Sequence, residues 1–466
     1  MPTSAPRPPH SRARPRLWQP HSRPGHHGHL KDSEHGNART GAPVDIAGTR
    51  RSPAGLLATW GLTRLLLLLF VLKVYVFPGP DVTSDVSVIY QGWYDVLRTG
   101  TFPQDDVTWQ YPPAAALAIL SPALLPFLSY ATAFFVLAFL ADLVVFSLLL
   151  YAGLRPGRSL RGVWMWVVGV PLLGPTVYAR YDVMVTAVAV AALLAGARHP
   201  RVMGALVGFG AMLKVWPVLL LVAARKRATW MSAAATAAGL AALFAVAMPG
   251  AFAFLTFQAD RGTEVESLGS LVFHVARRYG WDGQVLLNYG SVEFLGPWVN
   301  VVSTAALALT GVAFAWLLLW RLVATRFEAH TLADAAFVAI LLFTTTSRVI
   351  SPQYMVWLIG LAAVCLCFRA SRMTVPALLV LVASFVTVLE FPVYFANVVA
   401  SDGLGVTLLF LRNGLLVAAT VLAAVELWRA TVSAPVEAAE PAQAAQAAEA
   451  SESSESSESP ETSVSS

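Results

Sequence analysis

The chain has 466 residues, of which 56% are apolar and 13% are charged, and its formal net charge is +5. Soluble globular proteins have about 25% charged residues, so this composition excludes an ordinary soluble domain. Repeated apolar runs of about 20 residues are typical of transmembrane helices, and we predict an all-α polytopic membrane protein. The positive residues lie in short loops and one tail, so they indicate membrane orientation and do not predict nucleic-acid binding.

Both ends of the chain have the composition of disordered segments. Residues 1–54 are rich in Pro, Arg, His and Gly, whereas residues 431–466 contain seven Glu and no Lys or Arg. Neither segment has enough apolar residues to form a packed core. We therefore predict a basic and an acidic cytoplasmic tail, both disordered, on either side of a transmembrane domain over residues 55–430.

Ten apolar runs are predicted to cross the membrane completely. Lys and Arg mark five loops, which begin near Arg155, Arg198, Arg225, Arg321 and Arg369. With the amino-terminal tail inside, these loops all face the cytoplasm and the loops between them face outward. The predicted spans are residues 56–77, 131–152, 162–178, 183–197, 229–249, 298–320, 331–346, 353–368, 374–392 and 405–428.

Two further apolar segments are predicted not to be simple spans. Residues 114–128 are short and proline-rich, so we expect a helix that lies at the outer interface. Residues 202–223 have positive residues at both ends, with Lys214 at the midpoint and Pro217 shortly after it. A single crossing would break the alternation of charge, so we predict two half-length helices that meet near the outer side. Irregular backbone is tolerated at membrane depth where it lines a cavity, and Lys214 would lie at the tip of that cavity.

Residues 76–113 form the polar stretch around which the rest of the chain is organised. This stretch holds five Asp, one Arg and several aromatic residues between two apolar runs. Ionisable residues at membrane depth are costly and are therefore functional candidates. We predict that the stretch forms the floor of an outward-facing active site, with Asp85 at its centre. The structural alternative for Asp85 is a helix cap formed with Ser84.

Other ionisable and aromatic residues are predicted to face the same outer side. Arg180 and Asp182 lie in a very short turn between two apolar runs. The remaining candidates are Lys214, Arg261, Glu264, Glu266, Arg348, Gln353 and Tyr354. The outer side therefore combines carboxylates with cations, whereas the short inside loops carry cations alone.

A lipid-phosphate-linked sugar donor needs both kinds of charge. Cations stabilise the phosphate leaving group as the glycosidic bond breaks, and a carboxylate deprotonates the acceptor hydroxyl. Asp85 and Asp182 are the two candidate bases, unless Asp182 simply pairs with Arg180. The candidate ligands of the donor phosphate are Lys214, Arg348, Arg261 and Arg180, and the candidate substrate contacts are Tyr90, Trp93, Tyr111, Glu264, Glu266, Gln353 and Tyr354.

The donor is expected to come from the bilayer. The sequence has neither a Gly-rich phosphate loop in a strand–helix context nor a soluble nucleotide-binding domain, which argues against a nucleotide sugar. In the last span, Arg412 and Asn413 either bind a lipid head group or pair with Glu390.

Several motifs in order resemble glycosyltransferase family 87, the actinobacterial mannosyltransferase-like membrane proteins of the C-type glycosyltransferase superfamily. They are SDVSVIYQGWYDVLRTGTFP, QYPPAAALAILSPALLPF, RYDVMVTAVAVAALL, GALVGFGAMLKVWPVLLL, DRGTEVESLGSLVFHVAR and SRVISPQYMVWLIGL. The resemblance covers residues 56–428. It implies an inverting transferase that uses a polyprenyl-phosphate sugar, usually mannose, on the extracytoplasmic face. It also implies that Asp85, in the first outer loop, is the base, and it implies no metal and no soluble cofactor.

We therefore predict a multi-pass plasma-membrane glycosyltransferase with both termini in the cytoplasm and an extracytoplasmic active site. Its expected reaction moves a hexose, with mannose as the expected sugar, from polyprenyl phosphate to a glycan or glycolipid of the cell envelope. The main alternative is a transporter or flippase of lipid-linked sugars, and another is a scaffold that has lost catalysis. A transporter is expected to have polar residues in the inner halves of its spans and often an internal repeat, and the sequence shows little of either.

Overall fold

The computed structural model describes residues 54–259 and 262–432. Residues 1–53 and 433–466 lie outside the described residues, so the predicted tails stay predictions. Arg261, a predicted phosphate ligand, also lies outside the described residues.

Helices form most of the described chain. They are α1 Ala54–Val71, α2 Gln91–Leu97, α3 Ala115–Leu120, α4 Tyr130–Gly153, α5 Arg161–Gly169, α6 Asp182–Gly196, α7 Pro200–Leu213, α8 Arg227–Ala247, α9 Phe254–Ala259, α10 Leu271–Ala276, α11 Val299–Val323, α12 Thr331–Thr346, α13 Tyr354–Leu366, α14 Thr374–Val388, α15 Phe395–Ala400 and α16 Gly403–Thr431. Segments of 3₁₀ or π helix cover Asp85–Tyr90, Ser121–Leu124, Val170–Val177, Trp216–Ala223, Arg277–Tyr279 and Leu389–Val393.

Six of the described helices are long and apolar enough to cross a membrane. They are Ala54–Val71, Tyr130–Gly153, Arg227–Ala247, Val299–Val323, Thr374–Val393 and Gly403–Thr431. The other four predicted spans correspond to helices that are shorter or broken. In one of them, α5 passes into a 3₁₀ segment in which Gly174 has a φ of +59° and is followed by Pro175. Proline cannot donate the next helical hydrogen bond and glycine tolerates the positive φ, so the helix ends there.

Helix α13 lies at the centre of the bundle. All twelve residues after Tyr354 are buried, and the helix packs against α5, α6 and α12. A helix that is apolar on every side is stable only when protein or lipid surrounds it completely. Its first turn reaches Asp182, to which the Trp357 indole N–H donates a hydrogen bond. We call this end of the bundle the polar end.

Helices α6 and α7 form an antiparallel hairpin, and the chain breaks directly after α7, at the predicted position. Helix α7 ends at Leu213, Lys214 has an extended backbone with φ −158° and ψ 134°, and a 3₁₀ segment then begins at Trp216. Pro217 lies at the start of that segment, where its missing amide hydrogen does least harm. The predicted break of residues 202–223 at Lys214 is confirmed.

Small residues hold α7 close to α8. A Cβ atom built on Gly204 would lie 2.1 Å from the Thr229 carbonyl oxygen, and one on Gly208 would lie 2.4 Å from that of Ala233. This spacing of small residues is typical of tightly packed membrane helices.

The polar end also contains a small antiparallel sheet, so the all-α prediction is wrong for this segment. Strands β1 Thr263–Glu264, β2 Gln284–Asn288 and β3 Ser291–Leu295 pair in the order β1-β3-β2. Tyr289 and Gly290 join β2 to β3, and both have positive φ. Such a two-residue turn matches the twist of a hairpin.

The segment predicted to lie at the outer interface is only partly enclosed by protein, because Leu117, Leu124 and Phe127 are exposed. Only Ala115–Leu120 is α-helical, and Ala115, Ala116 and Ile119 are buried. The amide of Ala114 donates to the carbonyl of Met212 in α7 at 3.0 Å. The segment therefore supports the hairpin end that carries Lys214.

Candidate active site

Asp85 forms an ion pair with Arg180. The carboxylate lies at the start of the π-helical turn, and the Arg180 guanidinium also donates to the Ala179 carbonyl at 2.8 Å. The Asp85 side chain is 30% exposed and that of Arg180 is 11% exposed, so Asp85 remains accessible. Ser84 makes no capping bond with its side chain. The alternative ion pair between Arg180 and Asp182 is wrong, because Asp182 has a different cationic partner.

That partner of Asp182 is Lys214. The Lys214 ammonium lies 2.7 Å from Asp182 Oδ1, and the indole N–H of Trp357 donates to the same oxygen at 2.7 Å. Asp182 is 1% exposed and lies in the first turn of α6, where the helix dipole favours a carboxylate. Its charge is therefore fully enclosed by protein.

Four aromatic rings surround the Lys214 ammonium. The nitrogen lies 5.1 Å from the ring centroids of Tyr181 and Trp357, 5.4 Å from that of Tyr111 and 5.9 Å from that of Tyr354. Cations within about 6 Å of an aromatic face are attracted to the ring quadrupole. These rings hold the ammonium in place at the break after α7.

Aromatic residues connect the two ion pairs. The ring of Tyr181 lies 5.3 Å from Tyr111 and 6.2 Å from Tyr90, which in turn stacks on Trp93 at 5.4 Å. The indole N–H of Trp93 donates to Asp106 at 2.8 Å. Asp85, Arg180, Asp182 and Lys214 therefore belong to one cluster, which we call the paired-charge cluster. The aromatic rings that contact these residues, among them Tyr181, Tyr354 and Trp357, are counted as members of it.

The hydroxyl of Tyr90 is a polar atom that this cluster leaves unused. It is buried and has no hydrogen-bond partner among the described residues. Burial raises the pKa of Tyr90 well above its usual value, and the neighbouring Tyr111, Asp182 and Asp85 raise it further. Tyr90 therefore stays protonated at neutral pH and is a hydrogen-bond donor next to both carboxylates.

Glu264 fixes the loop that begins α13. Its carboxylate accepts hydrogen bonds from the Ile350 amide at 2.7 Å and the Ser351 hydroxyl at 3.0 Å. The Ser351 carbonyl accepts from the Tyr354 amide at 2.9 Å. The short strand β1 thus positions the helix that contributes Tyr354 and Trp357 to the cluster.

Two other predicted residues flank the same loop. The carbonyl of Arg348 accepts from the Glu264 amide at 3.1 Å, and its guanidinium donates to the Ser303 hydroxyl of α11 at 3.4 Å. Gln353 is half-buried and immediately precedes α13 without a side-chain capping bond. These residues lie at the same polar end, joined to the cluster through α13.

Glu266 belongs to a second, fully buried group. Arg412 pairs with Glu390, with Nε and Oε2 3.0 Å apart, and its Nη2 donates to the Glu266 carbonyl oxygen at 2.7 Å. Burial raises the pKa of Glu266, and Glu390 and Glu264 add to this rise. Of the two alternatives for Arg412, pairing with Glu390 is confirmed.

The sequence reasoning missed two members of the cluster, Trp357 and Tyr181. Trp357 lies three residues after Tyr354, and this helical spacing puts both on one face. Tyr181 stands between the two charged residues of the short turn. In residues 54–259 and 262–432, no group of three or more His, Cys, Asp or Glu side chains has the arrangement of a metal site.

An open cavity of about 840 Å³ adjoins the cluster. Its wall contains Trp93, Gln104, Asp105, Asp106 and Thr108. Trp93 is common to both features, because its ring stacks on Tyr90 while its indole nitrogen is bound to Asp106. Val88, Ile89, Val96 and Phe102 also line it, so the cavity beside the cluster has both polar and apolar walls.

These features define a multi-pass helical membrane protein with charged pairs and aromatic residues gathered at one end of its bundle. The sequence model of glycosyltransferase family 87 matches residues 109–352, slightly more than half of the chain. The chain belongs to this family and is a membrane glycosyltransferase.

One solved structure with a similar arrangement is ArnT from Cupriavidus metallidurans, crystallised with undecaprenyl phosphate. It is 15% identical in sequence, and the alignment covers 79% of this chain and 78% of that chain with a TM-score of 0.42. No curated protein matches the sequence significantly.

Proposed function

We propose that the protein transfers a hexose, with mannose as the expected sugar, from a polyprenyl-phosphate donor to a glycan or glycolipid of the cell envelope. The reaction takes place on the extracytoplasmic face and inverts the anomeric configuration. The observation that carries this proposal is the paired-charge cluster, in which one carboxylate is accessible and the other is enclosed.

Asp85 is the general base. A base must come within hydrogen-bond reach of the acceptor hydroxyl, and Asp85 is exposed enough for that contact. Arg180 orients its carboxylate. Asp182 is less suited to this role, because its Oδ1 already accepts hydrogen bonds from Lys214 and Trp357. We assign Asp182 to positioning the ammonium of Lys214.

The cations bind the donor phosphate. Arg180 comes just before α6 and Lys214 directly after α7, so both lie at the same end of the α6–α7 hairpin. Fixed cations stabilise the charge that develops on the phosphate as the glycosidic bond breaks, and they are most effective where water is excluded. Tyr90, as a buried neutral donor, hydrogen-bonds the sugar or phosphate oxygen that enters between the pairs. Arg348 and Arg261 remain candidates for a second phosphate contact.

The acceptor enters through the 840 Å³ cavity. Gln104, Asp105 and Thr108 offer polar groups for the hydroxyls of a sugar, and the buried Trp93 closes the wall behind them. The Trp93 ring stacks on Tyr90 at 5.4 Å and so connects this cavity to the paired-charge cluster. A nucleotide donor would need a phosphate-binding loop that the sequence lacks.

A transfer assay tests the proposal. Purified full-length protein in nanodiscs receives radiolabelled polyprenyl-phosphate mannose and a cell-envelope extract as acceptor. We expect label to move into a glycan or glycolipid, to stop with Asp85→Asn, and to continue with the exposed control Asp95→Asn. The anomeric configuration of the product reports inversion.

Two results would count against this function. If no polyprenyl-phosphate hexose serves as donor, the transferase reaction is wrong as stated. If labelled lipid crosses the bilayer of proteoliposomes without transfer, the flippase alternative is favoured instead.

A further inference from the structure

A second cavity lies at the opposite end of the bundle from the paired-charge cluster. Helix α6 begins at Asp182 and ends at Gly196, and α7 returns from Pro200. At a rise of 1.5 Å per residue, the turn between them is about 21 Å from Asp182. This turn, the end of α4 and residues 223–226 line a cavity of about 770 Å³.

The rim of this cavity is strongly cationic. Arg155, Arg158, Arg225 and Lys226 all line it, and among the described residues none of the four forms an ion pair. The wall contains one carboxylate, that of Glu328, which lies 3.5 Å from His330. Four positive groups therefore line a cavity whose wall contains one carboxylate.

Aromatic rings hold these guanidinium groups at the cavity. Arg155 lies 4.4 Å over the ring of Tyr151, and Arg158 lies 3.6 Å over that of Phe368. Arg225 lies 4.6 Å over the ring of Phe327, and all three rings belong to the cavity wall. The rings keep the guanidinium groups along the wall, where an anion could contact several of them.

Partial burial and neighbouring positive charges both disfavour the charged form of Arg158 at this rim. Partial burial lowers the pKa of Arg158, and the neighbouring Arg155 and Arg198 lower it further. The arginines stay protonated, because their usual pKa is far above neutral. An anion placed between them would relieve this repulsion.

The interior of the cavity is apolar. Leu148, Leu194, Leu206 and Leu332 form its wall above the cationic rim. Leu148 lies five residues before the end of α4 at Gly153, which corresponds to a depth of about 8 Å. The cavity therefore has one charged end and one hydrocarbon-like end.

We propose that this cavity binds an anionic phospholipid of the inner leaflet. The phosphate would lie among Arg155, Arg158 and Arg225, and an acyl chain would lie along the leucines. Basic pockets between membrane helices on the cytoplasmic side are suited to such head groups. The proposal does not depend on the transferase reaction, since the two sites lie at opposite ends of the bundle.

The acidic carboxy-terminal segment is the other anion available to this cavity. Helix α16 ends beside the cavity, because the Thr431 carbonyl accepts hydrogen bonds from the amides of Thr325 and Arg326, next to Phe327. The sequence after residue 432 is rich in Glu, Ser and Ala and has no long apolar run to fill the interior. The depth of the apolar wall therefore favours a lipid.

Native mass spectrometry of the full-length protein with added cardiolipin or phosphatidylcholine tests the proposal. We expect cardiolipin to be retained at least tenfold more than phosphatidylcholine. The variant Arg155→Gln/Arg158→Gln/Arg225→Gln should lose about tenfold or more of this binding. The control Arg161→Gln/Arg372→Gln/Arg429→Gln removes equal charge outside the cavity wall and should keep it.

Further variants test whether the lining variant is misfolded and whether the carboxy-terminal tail occupies the cavity. Replacing the three lining arginines by lysine keeps the charge and should preserve most binding, with an unchanged gel-filtration profile. Equal retention of both lipids, or equal losses in the lining and control variants, would overturn the proposal. So would a tenfold gain in cardiolipin binding when the seven Glu of the carboxy-terminal tail are changed to Gln, because the tail would then be the occupant.

Discussion

The two carboxylates of the paired-charge cluster should differ in how the same substitution affects the transfer rate and the folding stability. Asp85→Asn removes a general base, whose contribution is typically a factor of about 10² to 10⁴ in rate. This corresponds to about 3–5 kcal/mol of activation free energy. The Asp85 side chain is 30% exposed, but Arg180 is only 11% exposed, so leaving its guanidinium without this partner should also cost about 1–3 kcal/mol of folding stability.

Asp182→Asn should mainly destabilise the fold. Its carboxylate is enclosed and accepts two hydrogen bonds of 2.7 Å, from Lys214 and Trp357. Removing one partner of a buried ion pair costs about 3–5 kcal/mol, because the other charge is left uncompensated. Such a loss is a large part of the total stability of about 5–15 kcal/mol that is typical of proteins. The yield of folded Asp182→Asn should therefore fall.

Two measurements on each variant separate these roles. Fluorescence-detected gel filtration and thermal unfolding give the amount and stability of folded protein, and the transfer assay gives the rate per folded molecule. The reasoning is refuted if Asp85→Asn transfers sugar at the normal rate. It is also refuted if Asp182→Asn is as stable as the native protein and yet loses 100-fold or more in rate, because Asp182 would then be the base.

Three further predictions concern residues around the cluster. Tyr90→Phe removes a hydroxyl that has no hydrogen-bond partner among the described residues, so thermal stability should stay equal or rise. The transfer rate should fall about tenfold, and an unchanged rate would exclude a contact between this hydroxyl and the substrate. Glu264→Gln should destabilise the protein by about 1 kcal/mol in thermal unfolding and lower kcat, since a neutral amide is a weaker acceptor than the carboxylate for the Ile350 amide and the Ser351 hydroxyl. Glu293→Gln, in the paired strand β3, tests whether any loss of a buried carboxylate at this sheet has the same effect on kcat. Burial lowers the pKa of His274 from 6.5 to about 4. The unfolded chain therefore binds more protons between those values, and stability should fall by about 2 kcal/mol from pH 7 to pH 5. Thermal unfolding across this range should show a shallower slope for His274→Asn, and an equal slope would contradict the assignment.

Much of the helical framework could be predicted from hydrophobic runs and charge alternation. The break at Lys214 followed from one lysine and one proline in an apolar segment, because neither is stable in the middle of a span. The small sheet was not predicted, since its strands have five residues or fewer and lie in an otherwise helical chain. The turn of Tyr289 and Gly290 was the available local signal.

The pairing of charges could not be predicted from the sequence. Arg180 and Asp182 are near neighbours in the chain, yet Arg180 pairs with Asp85, 95 residues before it. Helix α6 begins at Asp182, and this turns its carboxylate inward to Lys214 and Trp357. Such a choice of partner depends on tertiary packing, and no spacing rule along the chain records it.

The glycine contacts between α7 and α8 have a consequence for the whole molecule. At Gly204 and Gly208 the two backbones meet with no room for a Cβ atom, so α7 cannot slide along α8 without a clash. A helix behaves as a stiff rod over this length, and Lys214 comes at its far end. The position of the Lys214 ammonium therefore depends on the packing of α7 against α8, a helix that contributes none of the side chains named in the cluster.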